Sequence, residues 1–239
     1  MKARDLVTLG LFPTVRPTMR RARRAGLSTL LDYQRLAALQ GAARIALEVA
    51  GDVIEFGSYR GGSAALLGEA IRGTSRALVL CDSFAGLPAP GARDNYHAEG
   101  DFSDTSAENV TRGLGQLGIR AEVRVGLFKD TLGRPVGPLC FAHVDVDLYE
   151  SVLQCLRFCY PFLSPGGVIV LDDYSAPTCL GARTAADEFC ASTGEVIAPL
   201  SHPSAAVWVG RDSRSLRREI LRRSSIGPLG ILAGAVFRD

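Results

Sequence analysis

Lysine is nearly missing from this chain. Lys2 and Lys129 are the two, and arginine carries the remaining positive charge. Basic and acidic residues almost balance, 27 against 25, for a formal net charge of +2. A molecule so close to neutral exerts no strong pull on nucleic acid, and none is expected as a partner. Long apolar runs are also absent. No stretch approaches the roughly 20 residues that span a bilayer. The basic N-terminal residues are followed by no adequate apolar signal region or cleavage site, so a cytoplasmic location is expected. The six cysteines, Cys81, Cys140, Cys155, Cys159, Cys179 and Cys190, include no C-x-x-C pair and no zinc-finger spacing with histidine. They read as reduced core residues, with Cys155 and Cys159 one helical turn apart on a buried face.

What is present is a set of apolar runs that stop at acids. Phe141-Ala-His-Val-Asp145-Val-Asp147-Leu-Tyr-Glu150 is answered by Gly167-Val-Ile-Val-Leu-Asp172-Asp173-Tyr174. Short apolar runs bounded by Pro and Gly predict buried strands of a parallel sheet. Further strands are expected over 52–56, 77–82 and 121–126, with the Asp-ended runs giving strands over 139–146 and 167–171. A closing antiparallel pair is expected over 195–199 and 205–210. Helices are expected over 30–50, 61–72, 105–117, 150–163 and 181–193, with Thr105 or Ser106 capping the third and Glu108 placed to close a capping box from Thr105. Residues 1–26, with Pro13 and Pro17, read as irregular and basic. With 239 residues, 47% of them hydrophobic, the chain suffices for one sizeable α/β domain. Ligands in such sheets collect beyond the carboxyl ends of the strands. Asp145, Asp147, Asp172 and Asp173 should therefore meet at one mouth, where a cation, protons or a cationic substrate must offset them.

The first strand leads into Val53-Ile-Glu55-Phe-Gly57-Ser-Tyr-Arg-Gly61-Gly62-Ser63. This loop lacks the dinucleotide spacing G-x-G-x-x-G and the Gly-Lys-Ser/Thr ending of a phosphate-binding loop, which disfavours a nicotinamide dehydrogenase. Gly57 and Gly61 permit close backbone approach to a ligand, and Ser63 can help cap the helix. Glu55, ending a buried strand, needs a partner, and a ligand ammonium would serve. Asp82 ends the second strand, where a carboxylate can accept both hydroxyls of a ribose. His143 reads as a core residue with its ring hydrogen-bonded, and His202 as a surface loop residue.

Six ordered segments resemble the macrocin O-methyltransferase family: E-x-G-x-x-x-G-x-S from Glu55, Cys81–Pro88, Val125–Thr131, His143–Ser151, Tyr160–Gly167 and Leu171–Tyr174. The resemblance covers roughly residues 30–210. It implies a Rossmann-like class I methyltransferase fold, a mostly parallel seven-stranded α/β sheet with helices on both faces. The implied cofactors are S-adenosylmethionine and Mg²⁺. Glu55, Gly57, Tyr59, Gly61 and Ser63 would then line the methionine end of the cofactor. Asp82 would hold the ribose, with Ser83 and Phe84 beside the adenosine and Gly126 and Phe128 near the adenine. Asp145, Asp172 and Asp173 match the family's metal aspartates. The organisation implied is a basic extension over 1–29, the methyltransferase domain over 30–210, and a basic and apolar tail over 211–239.

The expected reaction is methyl transfer to a hydroxyl on the sugar of a glycosylated natural product, in antibiotic biosynthesis. A hydroxyl is a poor nucleophile at neutral pH, and coordination to Mg²⁺ would stabilise the developing alkoxide. Asp145 or Asp147 would take the proton, Asp147 lying on the same strand face if the strand persists that far. A catechol-like acceptor would chelate Mg²⁺ equally well. A non-catalytic nucleoside-binding module is the reading from another class. The polar loop 83–104 is long enough to serve as a substrate lid. Arg211–Arg223 carries an apolar stripe of Leu216, Ile220 and Leu221, followed by the apolar stretch Ile226–Phe237. This tail offers three uses: weak contact with a membrane surface, a homo-oligomer interface, or packing back on the domain.

Overall fold

The computed structural model describes residues 14–133 and 136–223. Five strands run parallel: β1 (Asp52–Phe56), β2 (Leu78–Asp82), β3 (Glu122–Val125), β4 (Leu139–Val144) and β5 (Leu163–Leu171). Two short antiparallel strands, β6 (Ile197–Pro199) and β7 (Ala205–Trp208), close the edge beside β5. The seven-stranded order is β3-β2-β1-β4-β5-β7-β6. This is the architecture that the resemblance implied, and the mostly parallel sheet expected from the alternating pattern is present. The order reverses between β1 and β4, which places a crevice at their carboxyl ends.

The helices are α1 (Val15–Arg24), α2 (Tyr33–Ala46), α3 (Gly62–Ala70), α4 (Ala107–Gln116), α5 (Phe128–Thr131), α6 (Tyr149–Cys159), α7 (Leu180–Thr193) and α8 (Leu216–Arg223). They cover both faces of the sheet. Alternation along the strands sorts side chains into two apolar layers. Val53 and Phe141 pack with α1, α2 and α3, whereas Ile54 and Ala142 pack with α6 and α7. All six cysteines are buried and free, and Cys155 and Cys159 share the inner face of α6.

Three local expectations change. Residues 15–24 form a helix, where Pro13 and Pro17 predicted irregular chain. Pro17 falls in the first turn, whose N–H groups have no intrahelical acceptor, so the proline costs nothing there. Val15, Met19 and Ala22 recur at helical spacing and are buried, while Arg21 reaches Glu69 of α3 at 2.7 Å. Second, of the two candidate caps of α4 it is Ser106 that serves, its Oγ accepting from the Asn109 N–H at 3.2 Å. Thr105 is spent instead on the Tyr59 carbonyl. Third, β4 ends at Val144, so Asp147 does not continue the strand face. The backbone turns back there, with Asp147 at φ 57°.

At the C-terminal end, Leu216 and Ile220 are fully buried in the layer that contains α2. Those two members of the apolar stripe face the core. The side chain of Leu221 and the stretch Ile226–Phe237 lie outside the described residues. Among the described residues, no helix is long and apolar enough to cross a membrane.

Candidate active site

Hydrogen bonds of the ladder continue one residue past the strands and set the floor of the crevice. Gly57 donates to Cys81 at 3.0 Å, Asp145 to Phe56 at 3.0 Å, Asp172 to Val144 at 2.9 Å and Gly126 to Asp82 at 2.9 Å. Above this floor lies a cavity of 470 Å³. Of the residues expected to hold a cofactor, Gly57, Tyr59, Ser63, Asp82, Ser83, Gly126 and Phe128 line it. Asp145, Asp147 and Asp173 line it from the other side. Glu55, Gly61, Phe84 and Asp172 are not part of its lining.

Gly57 explains why the two halves meet so closely. It has φ 84°, and a Cβ there would fall 1.8 Å from the Asp145 carbonyl oxygen. Only glycine lets β1 turn under the acidic end of β4. Asp82 is fixed by two backbone donors, Tyr59 N–H on Oδ2 and Phe84 N–H on Oδ1, each at 2.8 Å. Each oxygen keeps a further lone pair, enough for a diol. Burial raises the Asp82 pKa, and the backbone N–H groups oppose that rise. Glu55 finds its partner inside the protein. It is completely buried, and its Oε1 lies 3.0 Å from Nδ1 of His143, its neighbour on β4. Glu55 Oε2 and His143 Nε2 have no protein partner. His202 is exposed, as its loop position predicted.

Asp145, Asp172 and Asp173 do come together, with one oxygen from each within 4.8 Å of the others. Their counter-charge is a residue that the sequence did not point to. Arg35 grips Asp172 through Nε, 3.2 Å from Oδ1, and through Nη2 on Oδ2, and approaches Asp173 Oδ1 at 3.6 Å. Arg35 stands in the first turn of α2, where Asp32 accepts from the Gln34 and Arg35 N–H groups at 2.8 Å each. That cap fixes the helix start and so the arginine's reach. Ser204 adds a hydrogen bond to Asp172 at 3.0 Å. Burial, then the Asp173 charge, pushes the Asp145 pKa well above the usual carboxylate range. The same causes push Asp147 up to about 7. Burial also raises Asp173, with Arg35 opposing.

The polar loop 83–104 is tied to the body by its own acids and amides. Asp94 Oδ1 accepts from the Tyr149 N–H at 2.9 Å and so caps α6, whose preceding residue supplies no side-chain cap. Asn95 does the same for α7, accepting from the Leu180 N–H at 3.1 Å and donating to Pro177 at 2.9 Å. These two anchors carry His97 to Asp147 and Cys179. Tyr59, Phe84, Phe102 and Asp147 are the non-glycine residues with positive φ among those described. Tyr59, Phe102 and Asp147 line this crevice, and strain of about 1–3 kcal/mol each is the kind that functional sites retain.

The donor sets fit the groups that the motifs implied. Asp173 Oδ2 is buried without a hydrogen-bond partner beside two further carboxylates, an all-oxygen set suited to a hard divalent cation. On the other side, the cradle at Gly57 and the two-oxygen edge of Asp82 suit a nucleoside with a free diol. The family model for Macrocin-O-methyltransferase (TylF) matches residues 20–208. The chain is 34% identical over 170 residues to the 8-demethyl-8-(2,3-dimethoxy-alpha-L-rhamnosyl)-tetracenomycin-C 4'-O-methyltransferase of Streptomyces olivaceus, covering 64% of this chain and 65% of that one. It is 32% identical over 182 residues to the demethyldecarbamoylnovobiocin O-methyltransferase of Streptomyces niveus, covering 69% and 68%. The match thus spans about two thirds of the length of these curated relatives. Among solved structures, the O-methyltransferase NovP superposes with a TM-score of 0.69 at 28% identity, over 77% of this chain and 82% of that one.

Proposed function

This chain belongs to the macrocin O-methyltransferase family, and from that premise we propose that it methylates a sugar hydroxyl of a glycosylated natural product, using S-adenosylmethionine and Mg²⁺. The observation that carries the reading is a single cavity bounded by Asp82 and Gly57 on one side and by Asp145 and Asp173 on the other. Asp82 accepts the ribose hydroxyls of the cofactor, and its two backbone donors keep it rigid for that task. Gly57, Tyr59 and Ser63 line the methionine end, with Gly126 and Phe128 beside the adenine. S-adenosylmethionine supplies an electrophilic methyl on a sulfonium. Asp145, Asp172 and Asp173 would hold Mg²⁺, which would supply Lewis-acid stabilisation of a developing alkoxide.

Asp145 takes the hydroxyl proton. Both acids line the cavity, but Asp147 Oδ1 is already engaged by Cys179 and His97. Arg35 orients Asp172 and keeps the acidic cluster from repelling itself apart. The loop 83–104, anchored by Asp94 and Asn95, closes the acceptor side and excludes water. Leu30, 65% exposed on the cavity rim, offers the aglycone an apolar edge.

The test is transfer of labelled methyl from S-adenosylmethionine to a panel of glycosylated polyketides and aminocoumarins, with catechols as the competing acceptor class. Transfer to a glycoside should require Mg²⁺ and vanish with chelator. Asp145→Asn should retain cofactor binding by calorimetry while losing turnover at least 100-fold. Transfer to catechols alone, or full turnover in chelator, would overturn the assignment.

A further inference from the structure

We propose that the exposed ring of Tyr96, on the loop over the cavity, is the docking face for a planar aromatic aglycone and sets which glycosides this site accepts. The inference rests on the reading of the cavity as a sugar O-methyltransferase site. The cavity holds 470 Å³. Pockets of about 300–1,000 Å³ bury one drug-sized ligand. The cofactor alone is a ligand of that size. It leaves room for little more than the reacting sugar, and the rest of a glycosylated acceptor must lie outside, across the rim.

Four rings form a row that leads from the cofactor side of the cavity to this rim. Tyr59 meets Phe102 edge-on with centroids 5.9 Å apart, Phe102 meets His97 at 5.6 Å, and His97 meets Tyr96 at 5.3 Å and 88°. Tyr59, Phe102 and His97 line the cavity. Tyr96 ends the row, 70% exposed. A lone apolar side chain on a surface is ordinary. This one continues the lining of a ligand cavity, and it has company. Leu180, half exposed, stands beside the same segment, because Asn95 accepts from its N–H at 3.1 Å.

The platform is in place before a ligand arrives. Asp94 and Asn95 fasten the chain on one side of Tyr96 to the starts of α6 and α7. On the other side, His97 Nδ1 lies 3.3 Å from Asp101 Oδ2, which also accepts from the Ala98 N–H at 3.0 Å. The base of the loop pairs with itself: the Leu87 N–H donates to the Asp101 carbonyl and the Gly100 N–H to the Leu87 carbonyl, each at 2.9 Å. Gly86 permits that closeness, because a Cβ there would fall 2.7 Å from the Gly100 and Asp101 backbone. Tyrosine offers a broad face with few torsions to fix, so an ordered backbone beneath it leaves little entropy to lose on binding. A flat aromatic system gains most from such a face, through offset stacking. A puckered macrolide ring or a bare sugar presents no flat π surface to it.

Binding of two probes that share one sugar tests the subsite in the full-length protein, saturated with S-adenosylhomocysteine and Mg²⁺: umbelliferyl α-L-rhamnoside and methyl α-L-rhamnoside. By calorimetry the aromatic glycoside should bind about tenfold more tightly than the methyl glycoside. Tyr96→Ala should shrink that ratio to below about threefold, whereas Tyr96→Phe, which keeps the ring, should preserve it. Val196→Ala, a change at an exposed apolar residue outside the cavity lining, should leave the ratio unaltered. S-adenosylhomocysteine should bind every variant with the parent's affinity, which separates a lost contact from a lost fold. Equal affinity of the parent for the two probes, binding of neither, or a ratio that survives Tyr96→Ala would overturn the subsite. Transfer of labelled methyl is read separately. No transfer to either probe, despite binding that depends on Tyr96, counts against the proposed reaction and leaves the subsite standing.

Discussion

Replacing Arg35 by Met tests the electrostatics of the site most directly. Met keeps much of the stem and removes the charge that Asp172 and Asp173 share. The side chains of Arg35 and Asp172 are 17% and 1% exposed, so water can replace little of the lost interaction. Removing one partner of a buried ion pair costs about 3–5 kcal/mol. For a domain of this size each kcal/mol moves the melting temperature by about 2–4 °C, so the expected fall is roughly 10 °C in metal-free buffer. A divalent cation should then do in the variant what the guanidinium does in the parent. At about 100 times its dissociation constant a ligand adds some 2.7 kcal/mol to stability. Mg²⁺ should therefore raise the melting temperature of Arg35→Met more than that of the parent, where it must share Asp172 and Asp173 with the arginine. Scanning calorimetry with and without Mg²⁺ measures both terms. An unchanged melting temperature in chelator would refute the counter-charge role. Equal Mg²⁺ stabilisation of the two proteins would refute competition between arginine and metal.

Gly57→Ala should cost at least about 3 kcal/mol, combining the positive-φ penalty with overpacking against the Asp145 carbonyl 1.8 Å away. Gly73→Ala is the control, because Gly73 has φ 79° but open space around it and should lose only the backbone term. Urea midpoints for the pair settle this, and equal losses would sink the steric argument. Ile220→Ala should cost about 2–5 kcal/mol, because that side chain is fully buried. A loss below about 0.5 kcal/mol would mean that α8 does not belong to the core. Stability should also fall steeply at alkaline pH. Burial raises the thiols of Cys81, Cys159 and Cys190 from 9.0 to about 12, so above pH 9 the unfolded chain releases protons that the native one keeps. Each such thiol lowers unfolding free energy by about 1.4 kcal/mol per pH unit across that window, and denaturant midpoints at pH 8, 9 and 10 would show it. A flat profile would mean that these thiols are not shielded.

The parallel core was legible because its signals are local. Each strand is a short apolar run closed by a polar residue, and each crossover helix carries its own periodicity. A local rule fails where position overrides it. Pro17 reads as a breaker anywhere except the first turn of a helix, which is where it stands. Thr105 and Glu108 spell a capping box, but the Tyr59 carbonyl, distant in sequence, claims the threonine. Hydrophobicity alone extends the fourth strand to Val146. Val146 is indeed buried, yet the chain has already left the sheet at Val144.

The acids of the site were legible for the same reason as the strands, and their partners were not. Asp145, Asp172 and Asp173 end apolar runs, so their convergence follows from a parallel sheet. Arg35 lies 137 residues from Asp172 in sequence, and His97 lies 82 residues from Cys179. No spacing rule connects positions so far apart. Asp32 followed by Arg35 does mark a capped helix start, but nothing local says that the arginine points at the sheet. Asp94 and Asn95 looked like loop composition, whereas they serve as caps for two helices that begin elsewhere. The same distance explains why Asp147 could not be assigned from the sequence. With strand parity alone it was another carboxylate at the mouth. Once the capped loop delivers His97 and the start of α7 delivers Cys179, its environment differs in kind from that of Asp145. One acid faces an all-oxygen cluster balanced by arginine, and the other faces nitrogen and sulfur.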